Sequence, residues 1–159
     1  MLKKYLWIFL ISMVPLIELR GAIPISQGLG LPLLQSYIVC IVGNMLPVPV
    51  IYLFARKVLE WGADKKFIGG LCTFFLVKGK KRGEKLQAKA GHGLFIALTL
   101  FVGIPLPGTG AWTGTLAASL LDMNFKDTVI AVMLGVLLAG IIMSLASAGF
   151  LGATGIITK

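Results

Sequence analysis

Two charged side chains, Glu18 and Arg20, interrupt a stretch that is otherwise almost wholly apolar from residue 5 to residue 34. At mid-depth in a bilayer each charge costs at least about 2.5–3.5 kcal/mol. Such charges therefore persist there only when they form an ion pair, are hydrated or serve a function. Pro15 and Pro24 flank the two charges, and a helix rarely continues undisturbed through such prolines. The stretch therefore predicts a helix break inside a membrane.

The composition agrees with a membrane location for the whole chain. Hydrophobic residues make up 57% of the 159 residues, only 13% are charged, and the mean hydropathy is +0.94. These values indicate an integral membrane protein, and its apolar segments predict that it is all-α. The net charge is +9, but ten of the 15 Lys and Arg residues lie within residues 56–89, between hydrophobic blocks. That distribution is typical of a cytoplasmic loop, so nucleic acid is not predicted as a partner.

The apolar block at residues 5–17 is too short to cross a membrane alone. As a helix it reaches only about 20 Å, whereas the hydrocarbon core is about 30 Å thick. If the chain turns at residues 18–24, the segment 23–34 returns to the side it came from and completes a re-entrant helical hairpin. The alternative is one tilted, proline-kinked transmembrane helix over residues 5–27, and this block alone leaves both open.

A span and a basic segment follow. Residues 37–55 have the right length to cross, and Asn44, Pro47 and Pro49 predict a bend in their middle. Within the basic segment 58–90, the apolar insert at 67–77 is too short to span and predicts a helix lying at the interface. Three lysines on one helical face of this segment either meet lipid phosphates or are ordinary positive-inside charges: Lys81, Lys85 and Lys89.

The second half has the same order of segments. Residues 93–104 form a short apolar block, residues 105–112 concentrate Pro and Gly and predict a second break, and residues 113–121 return. After a polar turn, residues 128–148 form a full span. A stripe of small residues on that span allows close approach of a helix, within the protein or in a homodimer: Gly140, Ser144 and Ala148.

The matching order predicts two inverted repeats of the kind found in transporters, with Gly21-Ala22 corresponding to Gly110-Ala111. The whole chain, 1–159, is then one transmembrane domain, with repeats at 1–57 and 91–150 on either side of the basic segment. Two hairpins that do not cross and two spans that do put both termini on one side. Because the basic segment is expected in the cytoplasm, both termini are expected outside, and the two breaks can meet near the midplane.

The two breaks are the predicted site. Helix starts near Ala22 and Ala111 would direct positive dipole ends towards an anion, and Arg20 has the geometry for bidentate phosphate binding. Glu18 is a candidate proton carrier. The structural alternative is a Glu18–Arg20 ion pair, or a cap that holds the hairpin tip.

The remaining candidates follow from the same breaks. Trp112 is either a substrate contact or a packing residue with its N–H bonded, and His92 either passes protons or is merely polar. No nucleophile–base pair, nucleotide loop or metal-ligand cluster is visible, and Cys40 and Cys72 have no partner motif, so no catalysis, cofactor, metal or disulfide is predicted. The predicted substrate-binding residues are Arg20, Gly21, Pro24, Asn44, Pro105, Pro107, Gly108, Thr109, Gly110 and Trp112, with Glu18 for proton coupling.

The motif Glu18-Leu-Arg20-Gly21-Ala-Ile-Pro24, together with Pro105-Leu-Pro107-Gly108-Thr-Gly110, resembles the small multidrug export family, which is distantly similar to the DedA/VTT membrane proteins. The resemblance implies paired re-entrant hairpins and membrane transport, and for the wider superfamily lipid handling that includes polyprenyl-phosphate flipping. In DedA proteins an arginine follows the second-half Pro-Gly by two residues, whereas Gly110 stands here. Arg20 alone would then bind a phosphate.

The leading hypothesis is a multi-pass secondary transporter or lipid flippase of the bacterial or archaeal cytoplasmic membrane. It would move an anionic or amphiphilic substrate, with Arg20 holding the anion and Glu18 carrying a proton. The alternatives are a multidrug exporter of hydrophobic cations, with Glu18 as the ligand, and a non-transporting membrane scaffold. The expected partners are membrane lipids, the substrate, protons and a second copy of the chain in a homodimer.

Overall fold

The computed structural model describes residues 1–64, 70, 73–74, 77 and 93–153, and all regular structure in these residues is α-helical, as predicted. The predicted interfacial helix at 67–77 lies mostly outside the described residues, and Cys72, Lys81, Lys85, Lys89 and His92 lie wholly outside them. The helices are α1 Leu2–Met13, α2 Glu18–Gly28, α3 Leu33–Met45, α4 Pro47–Ala63, α5 Gly93–Gly103, α6 Ala111–Leu120 and α7 Phe125–Ala153.

In the described part of the chain, two helical stretches are long and apolar enough to cross a membrane. Leu33–Val58 and Phe125–Phe150 each contain 26 residues, with mean hydropathies of 2.1 and 2.7. At about 1.5 Å per residue each exceeds the thickness of about 30 Å of a hydrocarbon core. The first combines α3 and α4, because the intervening Leu46 keeps helical angles (φ −60°, ψ −41°). Pro47 is then the first residue of α4, where a missing N–H costs little.

The first break lies at residues 14–17, just before the predicted position at 18–24. The cause is Pro15, which pushes the preceding residue out of the helical region, and Val14 is accordingly extended (φ −72°, ψ 129°). The helix start predicted near Ala22 is at Glu18 instead. Pro24 lies inside α2 and does not shape unwound backbone, so this part of the prediction is wrong.

The chain folds back at the first break. Lys4 Nζ, near the start of α1, donates to the carbonyl oxygen of Leu29, just past the end of α2, at 2.8 Å. The Tyr5 hydroxyl donates to Gln35 at the start of α3. The outer ends of α1 and α2 therefore lie side by side, which excludes the single kinked helix considered for residues 5–27.

The second break lies between α5 and α6, and α6 begins at Ala111 as predicted. Two residues with left-handed φ, separated by one residue, lie in or directly after each break: Leu16 and Glu18 at the first (75° and 49°), Gly108 and Gly110 at the second (81° and 147°). Each pair directly follows a proline, Pro15 or Pro107. This register pairs Glu18, not Gly21, with Gly110, and the same offset of 92 residues joins the starts of α3 and α7.

A glycine on each long span lets the first helix of its own half pack closely. A Cβ added at Gly43 of α3 would lie 2.7 Å from the Phe9 carbonyl oxygen of α1. A Cβ at Gly135 of α7 would lie 2.8 Å from the Thr99 carbonyl oxygen of α5. Backbone meets backbone at both places, and the two glycines are again 92 residues apart.

Contacts between the halves show that the two long spans run antiparallel. At one end the Arg56 guanidinium, on α4, lies 2.6 Å from the Asp122 carboxylate, which directly precedes α7. At the other end Leu34 of α3 and Leu145 of α7 line one groove. Between them the Tyr37 hydroxyl donates to the Leu137 carbonyl oxygen at 3.0 Å. The Tyr37 ring packs on Gly140, so this member of the small-residue stripe serves packing within the chain.

Candidate functional site

The two breaks line one cavity of about 340 Å³, which lies in the size range of small-molecule sites. Most of its wall is apolar, with two charged residues and a few other polar groups. The lining residues are Pro15, Leu16, Glu18, Arg20, Pro105, Leu106, Pro107, Gly108, Thr109, Trp112, Thr113, Leu116 and Met143.

Glu18 caps the start of α6. Its side chain is almost fully buried, and its two carboxylate oxygens accept one backbone N–H each, from Ala111 at 3.1 Å and from Trp112 at 3.0 Å. These are the first two residues of α6, whose N–H groups lack acceptors within the helix. The negative charge also suits the positive end of the helix dipole. A Cβ at Gly110 would overlap with Glu18 Oε2, so any other residue there would displace the carboxylate from this position.

Arg20 binds the other side of the same break. Its Nη1 donates to the carbonyl oxygens of Leu106 and Thr109, both at 2.6 Å, and to the Thr109 hydroxyl at 2.8 Å. Its Nη2 donates to the carbonyl oxygens of Val102 at 2.9 Å and Ile104 at 3.2 Å. Carbonyl groups freed at the end of a helix need such donors within a membrane, and a cation suits that end of the dipole.

The Glu18–Arg20 ion pair considered as the structural alternative is not formed, because the ion pairs within 4.0 Å among the described residues join Arg56 to Glu60 and to Asp122. Each charge is instead bound to the second half of the chain, where Glu18 holds the beginning of α6 and Arg20 holds the end of α5. Because every acceptor of Arg20 is uncharged, no bonded carboxylate neutralises its positive charge. Both side chains therefore act as caps, which was part of the structural alternative, but they cap the helix ends at the second break and not the tip of their own hairpin.

Trp112 makes the corresponding contact in the opposite direction, from the second half of the chain to a carbonyl group of the first half. Its Nε1–H donates to the carbonyl oxygen of Met13, the last residue of α1, at 3.2 Å. In the 92-residue register, position 112 corresponds to position 20. Arg20 therefore caps the helix before the second break, and Trp112 caps the helix before the first. Trp112 both has its N–H bonded and lines the cavity.

Of the residues predicted from the sequence, Glu18, Arg20, Pro105, Pro107, Gly108, Thr109 and Trp112 line the cavity, whereas Gly21, Pro24, Asn44 and Gly110 do not. Gly21 faces Ile17 within its own half, and Pro24 lies on the second turn of α2. Gly110 contacts Glu18 from outside the cavity wall. Asn44 is buried in α3, and its Oδ1 has no hydrogen-bond partner in the described part of the chain.

Sequence reasoning missed six lining residues: Pro15, Leu16, Leu106, Thr113, Leu116 and Met143. A signal existed for Pro15, which matches Pro107 in the 92-residue register. Thr113 and Leu116 follow Trp112 on the first turns of α6, so a correct helix start could have indicated them. Met143 reaches the cavity from α7, and no local pattern marks it.

The fold and the cavity define a small helical membrane protein whose two interrupted halves complete one site. A family model described as "Putative small multi-drug export protein" matches residues 18–142, and the chain belongs to this family. No curated protein and no solved structure matches the chain. The family prediction made from the two break motifs is confirmed, and the family's description suggests export or transport across a membrane. The more distant likeness to DedA proteins stays a prediction.

Proposed function

We propose that the protein is a small secondary transporter of the cytoplasmic membrane of a bacterium or archaeon. Its substrate, anionic or amphiphilic, passes through the cavity between the two breaks. The observation that carries this proposal is the position of Arg20 in the cavity wall, half-buried and bonded only to uncharged oxygens. The other charge, Glu18, is only 5% exposed and is bound to two N–H groups.

The proposed architecture is two inverted repeats, each a re-entrant hairpin followed by a span. The helices α1 and α2 contain 12 and 11 residues, so each reaches only about 16–18 Å and cannot cross alone. Non-helical backbone at mid-depth is tolerated where it is covered by protein or lines a cavity, which is where transporters bind substrates. In this orientation both termini lie outside and the basic central segment lies in the cytoplasm.

The lining favours a substrate with an anionic head and a hydrocarbon part. Leu16, Leu106 and Leu116 supply apolar wall, while Arg20 supplies a permanent positive charge. A polyprenyl-phosphate lipid is one substrate of this type, by the resemblance to DedA proteins. Glu18 is proposed to carry the coupling proton, which makes this a proton-coupled transporter or flippase.

A second candidate is export of hydrophobic cations, which the family's description favours and for which Glu18 would be the ligand. A cation would have to draw the carboxylate away from the Ala111 and Trp112 N–H groups. A membrane scaffold without transport is the third candidate, and it predicts no substrate preference at all.

Charge preference separates these candidates. In proteoliposomes, two fluorescent amphiphiles with the same alkyl chain and either a phosphate or a quaternary ammonium head are compared. The phosphate compound is expected to move at least about tenfold faster. Arg20→Gln should slow it by about 10–100-fold, because a hydrogen bond to a charged group contributes about 1.5–3 kcal/mol. Arg20→Lys, which keeps the charge, serves as the folding control; faster movement of the ammonium compound would refute the proposal.

The exposed breaks also support a homodimer. Leu16 is 90% exposed and Leu106 is 56% exposed, both beside non-helical backbone. Because lipid cannot satisfy the polar groups of such backbone, we propose that a second copy of the chain covers this face and completes the cavity.

Cysteine cross-linking tests the dimer. In a cysteine-free background, Leu16→Cys is expected to give a disulfide-linked dimer in native membranes. The matched control is Val50→Cys on α4, which is also exposed but far from a break in the helix and should stay monomeric. Equal cross-linking of both variants would contradict the proposal. So would the absence of cross-linking in Leu16→Cys together with a measured mass that corresponds to a monomer.

A further inference from the structure

We propose that the groove between α3 and α7 binds a small aromatic compound with one hydroxyl group, such as a phenol. The groove lies at the end of the two long spans that is opposite the Arg56–Asp122 ion pair. It shares no described lining residue with the cavity that contains Arg20. The inference goes beyond the proposed transport and does not depend on it.

The groove has the size and the lining of a site for an uncharged ring. Its volume is about 350 Å³, which lies in the range of small-molecule sites. It opens at the surface of the helix pair, where Leu34 and Leu145 are each 70% exposed. The described lining is uncharged, and its polar side chains are those of Tyr37 and Ser144. The full set is Leu33, Leu34, Tyr37, Ile141, Ser144 and Leu145.

One of these two hydroxyl groups has no partner. The Ser144 Oγ atom is buried and forms no hydrogen bond with the described residues, whereas the Tyr37 hydroxyl donates to the Leu137 carbonyl oxygen at 3.0 Å. A buried polar atom without a partner costs free energy. A lipid acyl chain in the groove cannot supply a partner, but the hydroxyl of a phenol can both donate and accept. The unpartnered Ser144 hydroxyl therefore favours a ligand that combines an apolar body with a polar group.

The other end of the long spans shows what fits such a position. In the 92-residue register, Ser144 corresponds to Tyr52 and Leu33 corresponds to Phe125. The rings of Tyr52 and Phe125 pack edge to face, with their centroids 5.3 Å apart. The Tyr52 hydroxyl donates to the Met123 carbonyl oxygen. The chain thus fills this position with a phenol ring at one end and has only the short side chain of Ser144 there at the other.

Tyr37 does not fill the space beside Ser144. Its ring packs on Gly140, and its hydroxyl group reaches Leu137, which precedes Ser144 by two helical turns. The ring therefore forms the wall of the groove on the side towards the middle of the spans. A phenol bound in the groove has Leu33 and Tyr37 along its ring and Ser144 Oγ at its hydroxyl group.

Photolabelling of the full chain in lipid nanodiscs tests the site directly. The probe is a phenol that carries a trifluoromethyl diazirine, and peptide mass spectrometry locates the labelled residues. Labels are expected within residues 33–37 and 141–145, and p-cresol, the side-chain analogue of tyrosine, should compete for them. At equal concentration in the lipid, toluene should compete about 2–10-fold more weakly, because it lacks the hydroxyl and one neutral hydrogen bond contributes about this factor.

Three variants locate the effect. Ser144→Tyr puts a phenol ring into the groove from within the chain, as Tyr52 does at the other end, and should abolish the labelling. Ser144→Ala should make p-cresol and toluene equal competitors. The control is Ala146→Tyr, which adds the same ring at an exposed position about 200° around α7 from Ser144 and should leave the labelling intact.

Two results would overturn the inference. The first is labelling that spreads along the lipid-facing helices without displacement by p-cresol, or that persists in Ser144→Tyr, since acyl chains would then cover the groove. The second is equal competition by toluene and p-cresol in the wild type, a measurement that needs no variant to fold. The proposed transport fails separately, because Arg20→Gln should slow movement of the phosphate compound and leave this labelling unchanged.

Discussion

Replacing Arg20 with methionine is expected to lower the free energy of unfolding by about 2–6 kcal/mol. Methionine keeps much of the side-chain length but cannot donate. The carbonyl oxygens of Val102 and Thr109 would lose their hydrogen-bond donor, whereas those of Ile104 and Leu106 keep the backbone N–H groups of Leu106 (2.8 Å) and Thr109 (3.2 Å). Each buried carbonyl without a partner costs about 1–3 kcal/mol, and inside a membrane water does not replace the donor.

Thermal unfolding in detergent and denaturant titration measure this loss. The matched control is Arg56→Met, since Arg56 is about half-exposed and forms ion pairs with Glu60 and Asp122 outside the core. That change should cost at most about 1 kcal/mol. Similar losses in the two variants would mean that Arg20 does not hold the second break together.

Alanine at Gly43 or Gly135 is expected to destabilise the fold by about 1–3 kcal/mol, although alanine is the better helix former by about 1 kcal/mol. The new methyl group would approach the Phe9 or Thr99 carbonyl oxygen to within 2.7 or 2.8 Å. These are backbone atoms, so they can move away only if α1 or α5 shifts as a whole. Double substitution should separate the first helix of each hairpin from its span.

Gly149→Ala is the control on the same helix as Gly135. A Cβ at Gly149 meets nothing within 4 Å, so the substitution should leave stability unchanged or raise it by up to about 1 kcal/mol. Thermal unfolding of the three single variants under identical conditions gives the comparison. A loss at Gly149 as large as the loss at Gly135 would contradict the close approach of α5 and α7.

Local sequence rules were sufficient for much of the fold. Composition predicted a helical membrane protein, and the run of Pro and Gly at residues 105–112 predicted the second break and the start of α6. The sequence prediction misplaces the first break because it includes Glu18 and Arg20, whose charges are costly in lipid. The rule that a proline disfavours a helical conformation in the preceding residue points to Val14 and would have placed it correctly.

The partners of the site residues could not be predicted in the same way. Glu18 binds residues more than 90 positions away, and no local pattern near residue 18 indicates which helix it caps. The useful signal is the repeated offset of 92 residues, which pairs Pro15 with Pro107 and Gly43 with Gly135. In that register Arg20 and Trp112 differ in chemistry yet donate to equivalent helix ends, and side-chain identity alone hides that equivalence.

The reciprocal capping has a consequence for biosynthesis. When a ribosome and translocon deliver the first hairpin to the membrane, Glu18 and Arg20 arrive before any of the groups that bind them has been made. An uncompensated charge at mid-depth in a bilayer costs at least about 2.5–3.5 kcal/mol, so this part of the chain gains its stabilising contacts only when residues 102–112 join it. A nascent chain that ends before α6 therefore lacks both N–H groups that bind the Glu18 carboxylate.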